Sequence, residues 1–355
     1  MKKIKQFFKN FKWTKKNIII ISIISAVLIA LIVTSVVFLN KKEVVVEEQK
    51  QEEIKQEEAR KISIVDINSK SRPYAIMINN IGVARPLQSG LQDAYIMYEL
   101  IVEGGITRYL ALFLDQNTER IGSIRSSRHY YLDYALENDA IYVHHGQSPQ
   151  AQADFSTLGV DRISVDDNTG WRDRNLGVSS EHTLFTSIEK LQKGLKNKRL
   201  ERNKPLLLKY SADEIDLSTM EGAIPATDLA FKYSNSNISG YKYDEENKYY
   251  LRFVNNKAHS DYVTKNQYHF KNIIVYQIDN RNIADVENKG RQEIDNIGTG
   301  SGYFISDGYA IKIKWSKSSR SEQTKYTLEN GEELVVNDGN TFIQIVPTSG
   351  SVSIK

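Results

Sequence analysis

The chain has 355 residues, six His and no Cys, with a formal net charge of +3. Nine Lys and no acid fall in residues 1–42, and subtracting them leaves residues 43–355 at −6, so the basic balance belongs to the N-terminal end. Without Cys there are no disulfides, thiolate metal sites or Cys nucleophile, and an acidic remainder without aromatic-plus-basic motifs excludes a nucleic-acid binder.

Residues 1–17 carry seven Lys, and Ile18 to Leu39 follow as 22 residues without charge, Pro or Gly. As a helix that run spans about 33 Å, the thickness of a hydrocarbon core. Ser22, Ser25, Thr34 and Ser35 are small and can bond back to a carbonyl one turn earlier. Seven Lys before the run and Lys41 and Lys42 after it predict a cytoplasmic N-terminus, with the bulk of the chain outside a cell membrane crossed once. A cleaved signal peptide has a shorter apolar region and a small-residue site, and a lipoprotein signal needs a Cys. Residues 40–62 are rich in Glu, Lys and Gln, without apolar heptad positions, and read as a solvated stalk.

From Ile64 short apolar runs alternate with turn residues. Tyr74–Ile78, Ile106–Leu114 and Ala140–His144 read as strands. Ser126 or Ser127 is placed to cap a helix running to about Glu137, and a second helix is expected at Phe185–Leu195 after Thr183 or Thr186. Beyond about residue 210 the pattern is almost wholly β: Tyr241–Tyr243, Tyr249–Val254, Asn272–Tyr276, Gly302–Ile305, Ala310–Trp315, Glu333–Val336 and Thr341–Val346, with turn signals at Asp307-Gly308 and Asn330-Gly331. The fold class expected is α+β: a layered mixed-sheet sandwich with helices on one side over residues 63–212, then a β-rich C-terminal lobe over residues 213–355.

Several strings in the first part stand out together: Arg72-Pro73-Tyr74-Ala75-Ile76-Met77, Arg85-Pro86-Leu87-Gln88-Ser89-Gly90-Leu91, Val102-Glu103-Gly104-Gly105-Ile106-Thr107-Arg108, Ile121-Gly122-Ser123-Ile124-Arg125-Ser126-Ser127-Arg128 and Tyr142-Val143-His144-His145-Gly146-Gln147-Ser148. The set resembles the YerB-like family of bacterial envelope proteins over residues 63 to about 350. The resemblance implies a layered α+β sandwich followed by a β-rich lobe, both domains of unknown function. Many members are lipoproteins, so a transmembrane anchor is a departure in tether but not in side of the membrane. No reaction comes with the likeness.

The residues themselves offer several chemistries. Glu103 before two glycines suits a general acid or base on a glycan if apolar surroundings raise its pKa, with Glu99, Asp115, Asp133 and Asp139 as second carboxylates. The alternative is a structural pair with Arg108, Arg125 or Arg128. Those three Arg, two flanking a helix start, suit a carboxylate or phosphate, unless Asp133, Glu137 and Glu103 satisfy them. His144 and His145 point to opposite faces of a strand, so one of them faces a polar cleft and both cannot ligate one metal; Ser148 lacks a nucleophile-elbow context. Trp171 and His182 lie in a long polar segment that suits a cleft wall, Trp171 for sugar stacking.

The expectation is therefore an extracytoplasmic envelope protein that binds an anionic cell-wall polymer, peptidoglycan or teichoic acid, through Arg108, Arg125, Arg128, His144, Ser148, Trp171 and His182. Glu103 orients these or, in an alternative, catalyses glycan cleavage. A third reading is a scaffold for another envelope protein. No cofactor and no metal are expected.

Overall fold

In the computed structural model, residues 61–284 and 287–355 are described, together with isolated positions between Thr14 and Thr34. The expected span at residues 18–39 falls largely outside the described residues, and so does the stalk up to Arg60. Among the described residues no helix is long and apolar enough to cross a membrane.

The apolar runs become strands, because β-branched and aromatic side chains fill a pleated, buried surface well. In chain order they are β1 (Tyr74–Asn79), β2 (Ile96–Ile101), β3 (Thr107–Phe113), β4 (Ile141–His144) and β5 (Arg162–Ser164). Then come β6 (Asp228–Ser234), β7 (Asn237–Asp244), β8 (Tyr249–Val254), β9 (Asn272–Ile278), β10 (Gly298–Ser306), β11 (Tyr309–Lys317), β12 (Thr341–Pro347) and β13 (Ser351–Ile354). The helices are α1 (His129–Glu137), α2 (Pro149–Thr157) and the short α3 (Ile188–Gln192).

One mixed sheet runs β11-β10-β9-β12-β2-β3-β1-β4-β5, with Ile224–Pro225 and Lys325–Leu328 also paired to β11. Strands from both sides of residue 213 share it: β12 lies between β9 and β2 and runs parallel to each. A second, antiparallel sheet is ordered β8-β7-β6-β13. Residues 62–355 form one compact unit in which Phe342 on β12 meets Tyr241 and Phe270, at ring distances of 6.1 and 4.8 Å. The architecture is α+β with a β-rich C-terminal region, as the patterning and the resemblance both imply.

Two neighbours on β2 show the layering, since successive strand side chains point to opposite faces. Tyr98 reaches the helix layer and donates to Glu137 Oε1 on α1 at 2.7 Å. Glu99 reaches the second sheet, where its Oε2 accepts from Arg252 Nη2 at 2.8 Å. Both charges of that pair are fully buried, and such burial is tolerated only when the remaining polar atoms are answered. They are. Glu99 also accepts from Thr107, Asn237 and Ser239, at 2.7, 3.2 and 2.7 Å. Arg252 donates to Tyr109, His259 and Tyr241 and lies 4.4 Å from the Phe342 ring centroid. A second buried pair, Lys317 to Glu137 at 2.8 Å, ties β11 to α1.

Local details differ from the sequence expectation. α1 starts at His129 with Arg128 as its cap residue and no side-chain capping bond; Ser127 Oγ instead accepts from Tyr142. The second expected helix is replaced in its first part by a strand, Leu184–Thr186, because Ser187 caps Lys190 N and so starts α3 only at Ile188. Helix α2 comes from Ser148-Pro149: Ser148 Oγ accepts from Ala151 N at 3.2 Å, and Pro149 occupies the first turn, where a missing N–H costs nothing.

Candidate functional site

The loop at residues 123–128 is laid across the ends of two parallel strands by its backbone. Arg125 N donates to Met77 O in β1 at 3.0 Å, His145 N donates to Arg125 O at 3.1 Å, and Ser127 N donates to Gly146 O at 2.9 Å. β1 and β4 are parallel here, and the loop sits at their C-terminal ends. That is where open α/β sheets leave a crevice.

Packed against the loop is a small sheet of Ile121–Gly122, Leu184–Thr186 and Trp171–Arg172, with a single turn at Ser180–His182. Two guanidinium groups grip that turn: Arg172 donates to Ser180 O, and Arg125 Nη1 donates to Glu181 O at 3.4 Å. Arg125 Nη2 also meets Glu181 Oε2 at 2.5 Å, a pair whose side chains are 26% and 51% exposed. Hydrogen bonding to Arg125, then its charge, holds the Glu181 carboxyl below its usual range. Asn79 Nδ2 donates to His182 Nδ1 at 3.0 Å, leaving the proton on Nε2, 3.7 Å from Glu181 Oε1. Burial, opposed by Glu181 and aided by Arg125, depresses the His182 pKa. Arg172 Nη2 donates to His145 Nε2 at 3.1 Å, so His145 Nδ1 carries its proton toward Val165 O at 2.8 Å.

Beside this group lies the turn Glu103–Gly105. Arg128 clasps Glu103 with a two-pronged fork, Nη2 to Oε2 at 3.0 Å and Nε to Oε1, and Arg108 Nη2 stands 3.9 Å away. Burial pushes the Glu103 pKa up, but Arg128 and Arg108 together outweigh it and hold the carboxyl below its usual range. An ionised carboxylate is no general acid at neutral pH. Arg108 also donates to Ser126 O, fastening this turn to the same loop, and its own pKa is pushed down to about 10 by burial and then by Arg128. Gly105 has φ +71°, and a Cβ there would stand 2.9 Å from Ser234 Cβ, so this glycine allows β6 to approach; Gly104 has open space. Of the carboxylates considered as partners for Glu103, Glu99 is bound to Arg252, Asp133 to Arg320 and Asn296, and Asp139 to Arg199.

The loop thus gathers Arg108, Arg125, Arg128, Glu103 and His182, and three other predicted residues do not join. His144 is fully buried, its ring tilted against that of Phe155 of α2 at 4.9 Å, with Nδ1 donating to Gly146 O at 2.9 Å and Nε2 accepting from Arg162 at 3.4 Å. Burial drives its pKa down to about 4, and its exposed neighbour His145 is the one at the cleft. Ser148 is occupied in capping α2. Trp171 points away from Arg172, toward Phe185 at 6.3 Å and Lys190 at 5.9 Å. Asn79, Arg172 and Glu181 were not singled out from sequence, although Arg172 and Glu181 lie in the polar segment expected to wall the cleft. Among the described residues no group of three or more His, Asp or Glu is disposed to hold a metal ion.

Comparison with known proteins matches two adjoining family models, the N-terminal domain of the proteins of unknown function DUF3048 over residues 63–201 and their C-terminal domain over residues 229–343. “Putative lipoprotein YerB” of Bacillus subtilis (strain 168) is 31% identical over 297 residues, which are 81% of this chain and 85% of the relative. The crystal structure of the YerB protein from Bacillus subtilis superposes with a TM-score of 0.68 at 29% identity, covering 80% of this chain and 94% of that one. The chain therefore belongs to the DUF3048 family, the YerB-like proteins, and carries both of its domains.

Proposed function

We propose that the chain is a membrane-held envelope protein whose outward-facing bulk binds an anionic cell-wall polymer, peptidoglycan in the first instance, at the Arg125 crevice. The observation that carries the reading is the Arg125–Glu181 pair. Arg125 is held in place by its backbone at two points, yet its guanidinium is a quarter exposed and its carboxylate partner is half exposed. Such a pair has little net strength in water. A ligand carboxylate can therefore replace Glu181 on a fork that is already aimed. Arg172 and the Asn79–His182 bond keep the wall rigid around it. Two features support the location: the 22-residue apolar run behind a basic tail, and a relative whose name calls it a lipoprotein. The first supports an anchor that is a single helix with its N-terminus inside.

Purified sacculi incubated with the full chain in mild detergent test the reading. The protein should pellet at low salt and be released as salt rises, and Arg125→Ala should weaken retention roughly tenfold or more. Equal retention of wild type and Arg125→Ala at every salt concentration would remove the crevice as the binding site.

A further inference from the structure

A cleft of about 1000 Å³ lies away from this site, between residues 202–210 and 323–335. Its floor is apolar, made by Leu206, Leu207, Leu208, Tyr210 and Leu334, and two large apolar side chains at its edge, Ile67 and Val335, are 56% and 37% exposed. Soluble surfaces seldom keep such groups beside an open apolar floor without an occupant.

Cations stand around that floor. Lys204 donates to the carbonyls of Leu136 and Ser321, and Lys209 pairs with Glu333. Lys70, Arg202 and Lys325 also line the cleft, and no described carboxylate pairs with any of them. Arg202 is fixed by Nη2 donating to Ser69 O at 2.6 Å, while its Nη1 is buried without a partner; the Tyr210 hydroxyl is buried without one as well. Both atoms lie beneath the lining, so the charge the cleft itself presents is that of Lys70, Lys325 and the remaining Arg202 guanidinium surface.

An apolar trough with a surplus of positive charge at its edge suits a long apolar chain with an anionic head. We propose that this cleft binds a phosphate-headed lipid, its chain along Leu206–Leu208 and its phosphate taken by Arg202, Lys70 and Lys325. Three cations suit a group with several charged oxygens better than a single carboxylate. The edge that carries Ile67 and Lys70 is held in place by Asp338, which accepts from Ser63 N at 2.8 Å and Ile64 N at 3.0 Å. This site shares no residue with the Arg125 crevice and does not depend on that crevice binding a polymer.

The test is photolabelling of the full chain in phosphatidylcholine nanodiscs with a dodecyl phosphate carrying a diazirine at its chain end. Cross-links should map to residues 202–210 and 323–335. Unlabelled dodecyl phosphate should suppress them, millimolar inorganic phosphate should not, and the matching diazirine alcohol should label about tenfold less. Lys70→Gln/Lys325→Gln changes only exposed side chains and should lower labelling several-fold, whereas Arg125→Ala should leave it unchanged. The proposal is overturned by equal labelling with the alcohol, by full competition from inorganic phosphate, or by labelling indifferent to the double substitution. It is also overturned if zero-length cross-links tie the acidic residues 43–58 to Lys70 or Lys325 and persist with dodecyl phosphate present, since the cleft would then belong to the chain's own stalk.

Discussion

Two arginine–glutamate pairs in this molecule have opposite surroundings. Arg252 and Glu99 are wholly buried, and neighbours from β3, β7 and the chain after β8 occupy their remaining donors and acceptors. Arg125 and Glu181 meet at a similar distance but at the surface, where the only other basic group beside Glu181 among the described residues is the His182 ring at 3.7 Å. A sealed charge with all its neighbours assigned can only hold layers together. An exposed one with few partners can exchange them. The sign of the charge says little about role in this fold; the number of partners and the water around them say much more.

The comparison breaks most visibly at Arg252. Arg252→Met should cost about 3–5 kcal/mol by leaving Glu99 charged and buried. Glu99→Gln/Arg252→Met should recover part of that loss, read from urea midpoints. Strict additivity of the two single changes would mean that the pair is not coupled and that burial alone does not seal it.

His144 belongs to the sealed class and should register through pH. Its folded pKa of about 4 lies below the ordinary 6.5, so between those values the unfolded chain binds the extra proton. The native state therefore loses stability as pH falls from about 6.5 to about 4, by on the order of 3 kcal/mol from this group. His144→Gln should flatten that part of the profile. An unchanged acid slope would mean that the ring is already charged when folded.

Glu103 sits between the classes. Glu103→Gln keeps one acceptor for Arg128 and should cost about 1–2 kcal/mol, with sacculus retention intact. A cost as large as that of Arg252→Met would move Glu103 to the sealed side. Smallest of all, Arg125→Ala should shift stability by less than about 0.5 kcal/mol while retention falls. A large thermal shift would mean that Arg125 is structural after all.

What was legible in the sequence follows the same division. β9, β10 and β11 were readable from alternation and turn signals, and β1 and β4 from short apolar runs, because these patterns are local. β2 was not, since Glu99 interrupts its apolar run and the residue that neutralises it is Arg252, 153 positions away. Helix α2 was not foreseen, because its cap Ser148 and first-turn Pro149 are residue types that loops also use. Alternation required His144 and His145 to diverge, but only α2, laying Phe155 over His144, decides which is buried. Arg125 and Arg128 were visible as a pair near a helix start. Their different fates rest on Glu181 and Glu103, chosen by loop packing that no short-range pattern records.

The place of β12 bears on how this protein is made. Residues 341–347 fill the slot between β2 and β9, so Ile96–Glu99 and Asn272–Ile278 each keep an open hydrogen-bonding edge until residues 341–347 arrive. Pairing across some 240 positions is slow, and open edges invite other chains. A chain made N-terminus first cannot finish its sheet progressively: β2 and β9 stay unjoined until residues 341–347 appear. Any interruption before Thr341 yields a product with two exposed edges in its centre, a substrate for proteolysis rather than a shortened but serviceable protein.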